Sequence, residues 1–149
     1  MRQHLTRLAV QTSGEGFTDL TAALNREIAA SGLQQGIVQV VVLHTSCSLT
    51  VNENADPRVL RDLTTYLRAL VPQAGVRSLC GHGDLQRYAH DDEGADDMPA
   101  HIRTALTTTS LGLSFDRSRL VLGTWQAVYL WEHRARAHQR QLSLHLIGE

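Results

Sequence analysis

Ile37-Val38-Gln39-Val40-Val41-Val42-Leu43-His44 is the run on which the fold turns. It is too short and too crowded at Cβ to favour a helix, so it reads as a central strand with His44 at its C-terminal end. Downstream, Cys47 to Val51 forms a further short strand. Asn52-Glu53-Asn54-Ala55-Asp56-Pro57 is then a polar turn, with Asp56 placed to cap a helix and Pro57 at its first position. That helix carries Leu60, Leu63, Leu67 and Leu70 on one face and stops at Pro72. Upstream, Arg7 to Gln11 reads as an opening strand. Leu20, Ala23, Leu24 and Ile28 follow helical spacing between a cap at Thr18 or Asp19 and a stop at Gly32. The last third turns to strands at Leu111 to Phe115, Arg119 to Leu122, Ala127 to Trp131 and Arg140 to Ile147. The final strand alternates Leu142, Leu144 and Leu146 with Ser143 and His145. Helices and hairpin-like strands mix without regular βα alternation, which makes the class α+β.

Bulk composition narrows the setting. A chain of 149 residues, 42% hydrophobic and with a formal net charge of −1, suits one compact domain spanning residues 1–149 that buries about 70% of its unfolded surface. There is no apolar run of the ~18 residues a membrane span needs, and the first residues lack the apolar stretch of a secretory signal, so a cytoplasmic protein with no membrane partner is expected. Cys47 and Cys80 stand apart without a CxxC pattern, so both are expected to be inert thiols. Near-zero net charge gives no case for nucleic acid, although Arg134, Arg136 and Arg140 form a local basic cluster suited to a phosphate.

Gln73 to Met98 carries no periodicity over 26 residues, longer than the ~12–15 that loops in compact domains usually reach. It contains most of His90-Asp91-Asp92-Glu93-Gly94-Ala95-Asp96-Asp97-Met98-Pro99-Ala100-His101, in which two imidazoles bracket five carboxylates. So many anions repel one another unless they splay into water, as a solvated acidic loop would, or share a cation. Pro99 suits the first turn of a helix through His101, Ile102, Ala105 and Leu106, with His101 near its positive end.

Three motifs carry a resemblance: His44-Thr45-Ser46-Cys47-Ser48 continuing to Pro57, Tyr88-Ala89-His90 continuing to Ile102, and Gly123-Thr124-Trp125-Gln126 followed by Glu132-His133-Arg134. Together they resemble the YjbQ-type family, often labelled secondary thiamine-phosphate synthase. The resemblance implies a small α+β domain with a curled, mainly antiparallel sheet and a few helices. It implies a homotrimer with sites near the subunit boundaries, and a weak or secondary thiamine-phosphate synthase activity. The chain departs from the family pattern at Gly75 to Arg87, which reads as a surface insertion. It departs again at Arg134-Ala135-Arg136-Ala137-His138-Gln139, where a Gly-Pro-Arg turn is usual.

With the resemblance, His44, His90 and His101 are the expected metal ligands, and Glu93 or Asp97 fills another position or orients an imidazole. Glu132, Gln126 and Asn52 are the catalytic candidates, Glu132 as a general base. Thr45, Asn54, Trp125 and Arg140 are candidate substrate contacts. Each has a plainer alternative: a core-edge histidine for His44, packing for Trp125, turn geometry for the asparagines, a strand-end charge for Glu132. Ser46 and Ser48 lack a Gly-x-Ser-x-Gly elbow. The resulting reading is a metal-assisted enzyme acting on a small phosphorylated metabolite, joining an aminopyrimidine diphosphate to a thiazole phosphate. The divalent metal is left open between Zn and Mg. A non-catalytic metal- or small-ligand-binding trimer and a metal-dependent hydrolase are the rival readings.

Overall fold

In the computed structural model, which describes residues 1–78 and 82–149, the valine-rich run is strand β3 (Gln35–Val42), in the middle of a five-stranded sheet. Cys80 lies outside the described residues. On either side of β3 run β8 (Gln139–Gly148) and β5 (Ser110–Asp116), both antiparallel to it; β1 (Arg2–Gln11) and the short β6 (Arg119–Leu120) form the edges. Val38, Val40 and Val42 oppose Leu146, Leu144 and Leu142 in register, and all six are buried. The alternate residues Ile37 and Ile147 face outward and are exposed, because a strand presents successive side chains to opposite faces.

A second, three-stranded sheet sets β7 (Gln126–Glu132) between β2 (Gly16–Asp19) and β4 (Cys47–Glu53), again antiparallel throughout. Helix α1 (Thr21–Ala30) buries Leu24 and Ile28 in one core cluster with residues of both sheets, among them Val40, Leu49, Val128, Leu130 and Leu144. The chain is therefore α+β with curled antiparallel sheets, and its core lies between the sheets and α1. Cys47 belongs to that cluster. Burial pushes its thiol up to about 12, which keeps it protonated and inert.

Several local signals translate directly into structure. The Asp56 carboxylate accepts the Arg58 N–H at the start of α2 (Pro57–Leu70), and Pro57 holds the first position. Asp19 accepts the Thr21 N–H, although the cap position of α1 itself falls one residue later than expected, on Leu20, which makes no side-chain cap bond. Other expectations need correcting. The leucine face of α2 is largely at the surface, with only Leu67 buried and Leu70 half exposed, because α2 lies over the smaller sheet rather than in the core. The strand expected over Arg119 to Leu122 stops at Leu120. Strand β3 ends at Val42, which leaves His44 in an exposed loop. Strand β2 escaped the sequence reading because four residues with a single large apolar side chain carry no periodic signal.

Helix α3 (Asp97–Leu106) begins where the acidic run ends. Before it, the chain makes an excursion closed by a mutual pair of Val76–Gln86 backbone hydrogen bonds, each 2.9 Å, and the described residues from Val76 to Arg87 are exposed. Among the described residues no helix is long and apolar enough to cross a membrane.

Candidate functional site

Two carboxylates of the acidic run, Asp96 and Asp97, close around one guanidinium, while Asp91, Asp92 and Glu93 are exposed to water. Gly94 adopts a left-handed backbone conformation (φ +116°), reversing the chain ahead of α3. Arg134, from the β7–β8 connection, then reaches Asp96 Oδ2 with Nε at 3.0 Å, Asp97 Oδ1 with Nη1, and the Glu93 carbonyl with Nη2 at 2.9 Å. The Ala135 N–H adds a 2.8 Å bond to Asp96. Partial burial works to raise the Asp96 pKa, but the Ala135 N–H and the Arg134 guanidinium outweigh it and hold the carboxyl below its ordinary value. The same connection passes close over Gly14, where a Cβ would stand 2.5 Å from the Ala135 carbonyl oxygen.

Asp97 is only 2% exposed, yet its second oxygen has no arginine. Oδ2 lies 2.8 Å from His90 Nε2 and 3.7 Å from His101 Nε2. His101 follows Asp97 by one helical turn on the same face of α3, while His90 comes from the loop. One ligand atom from each of the three residues lies within 4.8 Å of the others. Two imidazoles and a carboxylate are a donor set for a borderline transition ion, and the half-exposed histidines leave its outer side open.

His44 stands beside this cluster without joining it. It shares a cavity of about 470 Å³ with Thr45, His101, Thr107 and Thr109, but the donor group among the described residues is His90, Asp97 and His101. Its Nδ1 faces Ser46, 3.2 Å from the backbone N–H and 3.0 Å from Oγ. Burial and the nearby Arg140 both lower its pKa. In place of His44, expected as a ligand, the structure brings Asp97 between the two other histidines.

Glu132 and Arg140 belong to the interior. Glu132 is fully buried; its two oxygens accept Arg140 Nε at 2.8 Å and Nη2 at 2.6 Å, the Thr12 hydroxyl at 3.0 Å and the Arg134 N–H at 3.1 Å. Although burial favours its neutral form, the bonds from Arg140, the Arg134 N–H and Thr12 hold its pKa below the ordinary value. A carboxylate so saturated is a poor general base, which corrects its expected role. Arg140, expected as a substrate contact, is 2% exposed and spends its remaining contact on Ser46 Oγ. With Arg134 also engaged, the expected phosphate-binding arginine cluster is not a free basic patch.

The remaining candidates sit elsewhere. Gln126 opens β7 and Glu132 closes it, so the two are about 20 Å apart along the strand. Gln126 accepts the Gly123 N–H, Asn52 accepts the Glu53 N–H, and Asn54 Nδ2 donates to the Gln126 carbonyl, which are turn and strand-end roles. Trp125 is 63% exposed at the same end. Thr45 lies in the cavity beside His44.

Sequence reasoning missed Arg134 as the clasp of the acidic loop, since 37 residues separate it from Asp97 and no local spacing rule links them. It also missed a buried pair in which Ser48 Oγ lies 2.8 Å from His133 Nε2. Burial, then Arg103, push the His133 pKa down to about 3, so the ring is neutral. Ser48 is fully buried, which removes it from any role as a surface nucleophile.

Known proteins share this outline over nearly the whole chain. The family model described as "UPF0047 protein YjbQ-like" matches residues 6–149. A UPF0047 protein from Synechocystis sp. is 45% identical over 148 residues, 99% of this chain and 94% of its own length. The UPF0047 protein YjbQ of Escherichia coli O157:H7 is 36% identical over 143 residues, 95% and 96% of the two chains. Among solved structures, an uncharacterized YjbQ/UPF0047-family protein from Clostridium acetobutylicum superposes with a TM-score of 0.78 at 31% identity, covering 95% of this chain and 99% of its own. A conserved hypothetical protein from Thermus thermophilus gives 0.75 at 34%, with coverage of 95% and 99%.

Proposed function

We propose that this chain, which belongs to the YjbQ-like UPF0047 family, is a metal-assisted enzyme acting on a small phosphorylated metabolite. The observation that carries the reading is Asp97 Oδ2, buried on its own side, free of arginine, and flanked by the half-exposed imidazoles of His90 and His101. The donor set favours Zn²⁺ or a similar ion over Mg²⁺, which prefers oxygen ligands. A divalent cation held there supplies Lewis-acid neutralisation of charge developing on a leaving phosphate or diphosphate. Arg134 fixes Asp97 through its other oxygen, so the carboxylate does not swing when a ligand arrives. The cavity beside His101 then receives the substrate.

The narrower reaction, joining an aminopyrimidine diphosphate to a thiazole phosphate, rests on the family resemblance and on the need of that chemistry for such a cation. Assembly as a homotrimer is part of the same proposal. Its support is the outer face of the larger sheet, where Leu5, Ile37, Val121 and Ile147 leave apolar side chains exposed. A monomer mass by light scattering at micromolar concentration would remove it.

Titration calorimetry with Zn²⁺, supported by elemental analysis, tests the centre. The wild type is expected to take up the ion, and His90→Ala, His101→Ala and Asp97→Asn to lose it; equal metal content in all four proteins sinks the proposal. Metal-dependent release of pyrophosphate from a pyrimidine diphosphate separates the enzyme from a metal-binding module, which would bind without turnover.

A further inference from the structure

The hydrogen bonds around His44 give it a part other than cation ligand. The backbone N–H of Ser46 points at His44 Nδ1 from 3.2 Å, and a main-chain amide can only donate. Ser46 Oγ lies 3.0 Å from the same nitrogen and 2.9 Å from Arg140 Nη2. A guanidinium has no acceptor, so Oγ accepts from Arg140, and because the amide N–H already makes Nδ1 an acceptor, the hydroxyl turns its own proton toward it. Two donors therefore converge on the Nδ1 lone pair, and the single proton of the neutral ring belongs on Nε2.

That tautomer has consequences. Ligation through Nε2 requires the proton to move to Nδ1, where it would face the Ser46 N–H and hydroxyl. Among the described residues Nε2 has no hydrogen-bond acceptor, and the side chain borders the cavity of about 470 Å³ shared with His101. Thr45 and Thr109 line the same cavity, and their hydroxyls make no hydrogen bonds among the described residues. The arrangement is anchored from within, since Arg140 is itself held by the fully buried Glu132 through two bonds.

We propose that His44 is a preset neutral donor whose Nε2–H binds a phosphoryl oxygen of the ligand in this cavity, with Glu132, Arg140 and Ser46 as the positioning residues that hold its tautomer. A neutral imidazole polarising a substrate oxygen is an established solution in other enzymes. Here it supplies a donor to the same cavity that His101 of the His90–Asp97–His101 group borders. The proposal rests on the reading that the cavity takes a phosphorylated ligand. It does not require the cation.

Long-range ¹H–¹⁵N correlation of the imidazoles in the full-length labelled protein reads the tautomer directly, and inorganic phosphate serves as the probe ligand. The expected result is a neutral His44 with a protonated Nε2 at pH 7 whose Nε2–H signal shifts on adding phosphate. His44→Ala is expected to weaken phosphate binding by about 10- to 100-fold, the loss of one hydrogen bond to a charged acceptor. His44→Gln, which keeps an N–H donor, should recover much of it. His44 lies in an exposed loop, so neither variant threatens the fold. Added Zn²⁺ is expected to perturb His90 and His101 and leave the His44 nitrogens unligated. A protonated Nδ1, Zn²⁺ on His44 Nε2, no phosphate binding by the wild type, or unchanged phosphate affinity in His44→Ala each overturns the proposal. Failure of Zn²⁺ to bind, with the tautomer and phosphate response as expected, removes the cation reading and leaves His44 in its role.

Discussion

Glu132 and Asp97 are both carboxylates withdrawn from water and both are gripped by an arginine, yet they do opposite work. Glu132 has each oxygen filled, by Arg140, Thr12 and the Arg134 N–H, and reaches the surface only indirectly through Arg140 and Ser46. Asp97 gives one oxygen to Arg134 and turns the other to two imidazoles at a partly open face. What separates scaffold from site is unfilled valence. Burial alone does not make the distinction, and neither does the presence of a histidine nearby, since Glu132 also has His138 within 3.9 Å.

The comparison breaks most sharply at Glu132. Glu132→Gln leaves the buried Arg140 without its counter-charge, and a loss of about 3–5 kcal/mol in urea unfolding is expected. Replacing both partners, Glu132→Leu with Arg140→Met, should recover a large part of it, because no orphaned charge remains. A loss below about 1 kcal/mol for the single variant would show that the pair is not scaffold. At Asp97 the balance reverses. Asp97→Asn should cost Zn²⁺ affinity on the order of 100-fold or more but only about 1 kcal/mol of stability, because Arg134 keeps Asp96 and the Glu93 carbonyl. Calorimetric titration and denaturation of the same protein check both halves.

Near neutral pH a smaller effect, which grows with acidity, comes from the buried Ser48–His133 pair. The folded protein keeps His133 neutral down to about pH 3, whereas an unfolded chain protonates it near the ordinary value of 6.5. Below that value the unfolded state binds the extra proton, so stability is full above about pH 6.5 and falls as pH drops toward 3. The contribution of this residue approaches ~1.4 kcal/mol per pH unit within the window. His133→Gln should flatten the pH dependence of the denaturation midpoint, and parallel curves for the two proteins would refute it. The smallest expected effect belongs to the excursion between Val76 and Gln86. It is closed by its own backbone bonds, and its described residues are exposed. Replacing residues 76–86 with a short link should change stability by less than about 0.5 kcal/mol and leave Zn²⁺ uptake intact. Loss of folding would place it in the core.

Much of the site was legible as ingredients. The acidic run named His90 and His101, with Glu93 or Asp97 beside them, and Pro99 marked the helix that presents Asp97 and His101. Their assembly was not legible, because the acids looked alike in sequence. Asp91 and Asp92 are exposed while Asp97 is almost fully buried, and the difference is made by Arg134, which no spacing rule ties to them. Glu132 misled for a related reason. A glutamate closing an apolar strand reads as an interruption until its partner Arg140, at the start of the next strand, is seen beside it.

From its sequence alone this chain determines what depends on neighbours a few residues away. These are the Val-rich central strand, the Asp56–Pro57 helix start, the Leu142–Leu144–Leu146 core face, and the mixture of helices and hairpins that makes it α+β. Those features follow from side-chain periodicity, β-branching and capping, all short-range effects. Only the tertiary structure decided which carboxylate stays open and what holds the Ser46 hydroxyl that faces His44. The deciding contacts, Arg134 to Asp97 and Arg140 to Ser46, span 37 and 94 residues. Hydrogen-bond valence and burial are settled by whichever groups the packed chain brings together, whatever their distance in sequence.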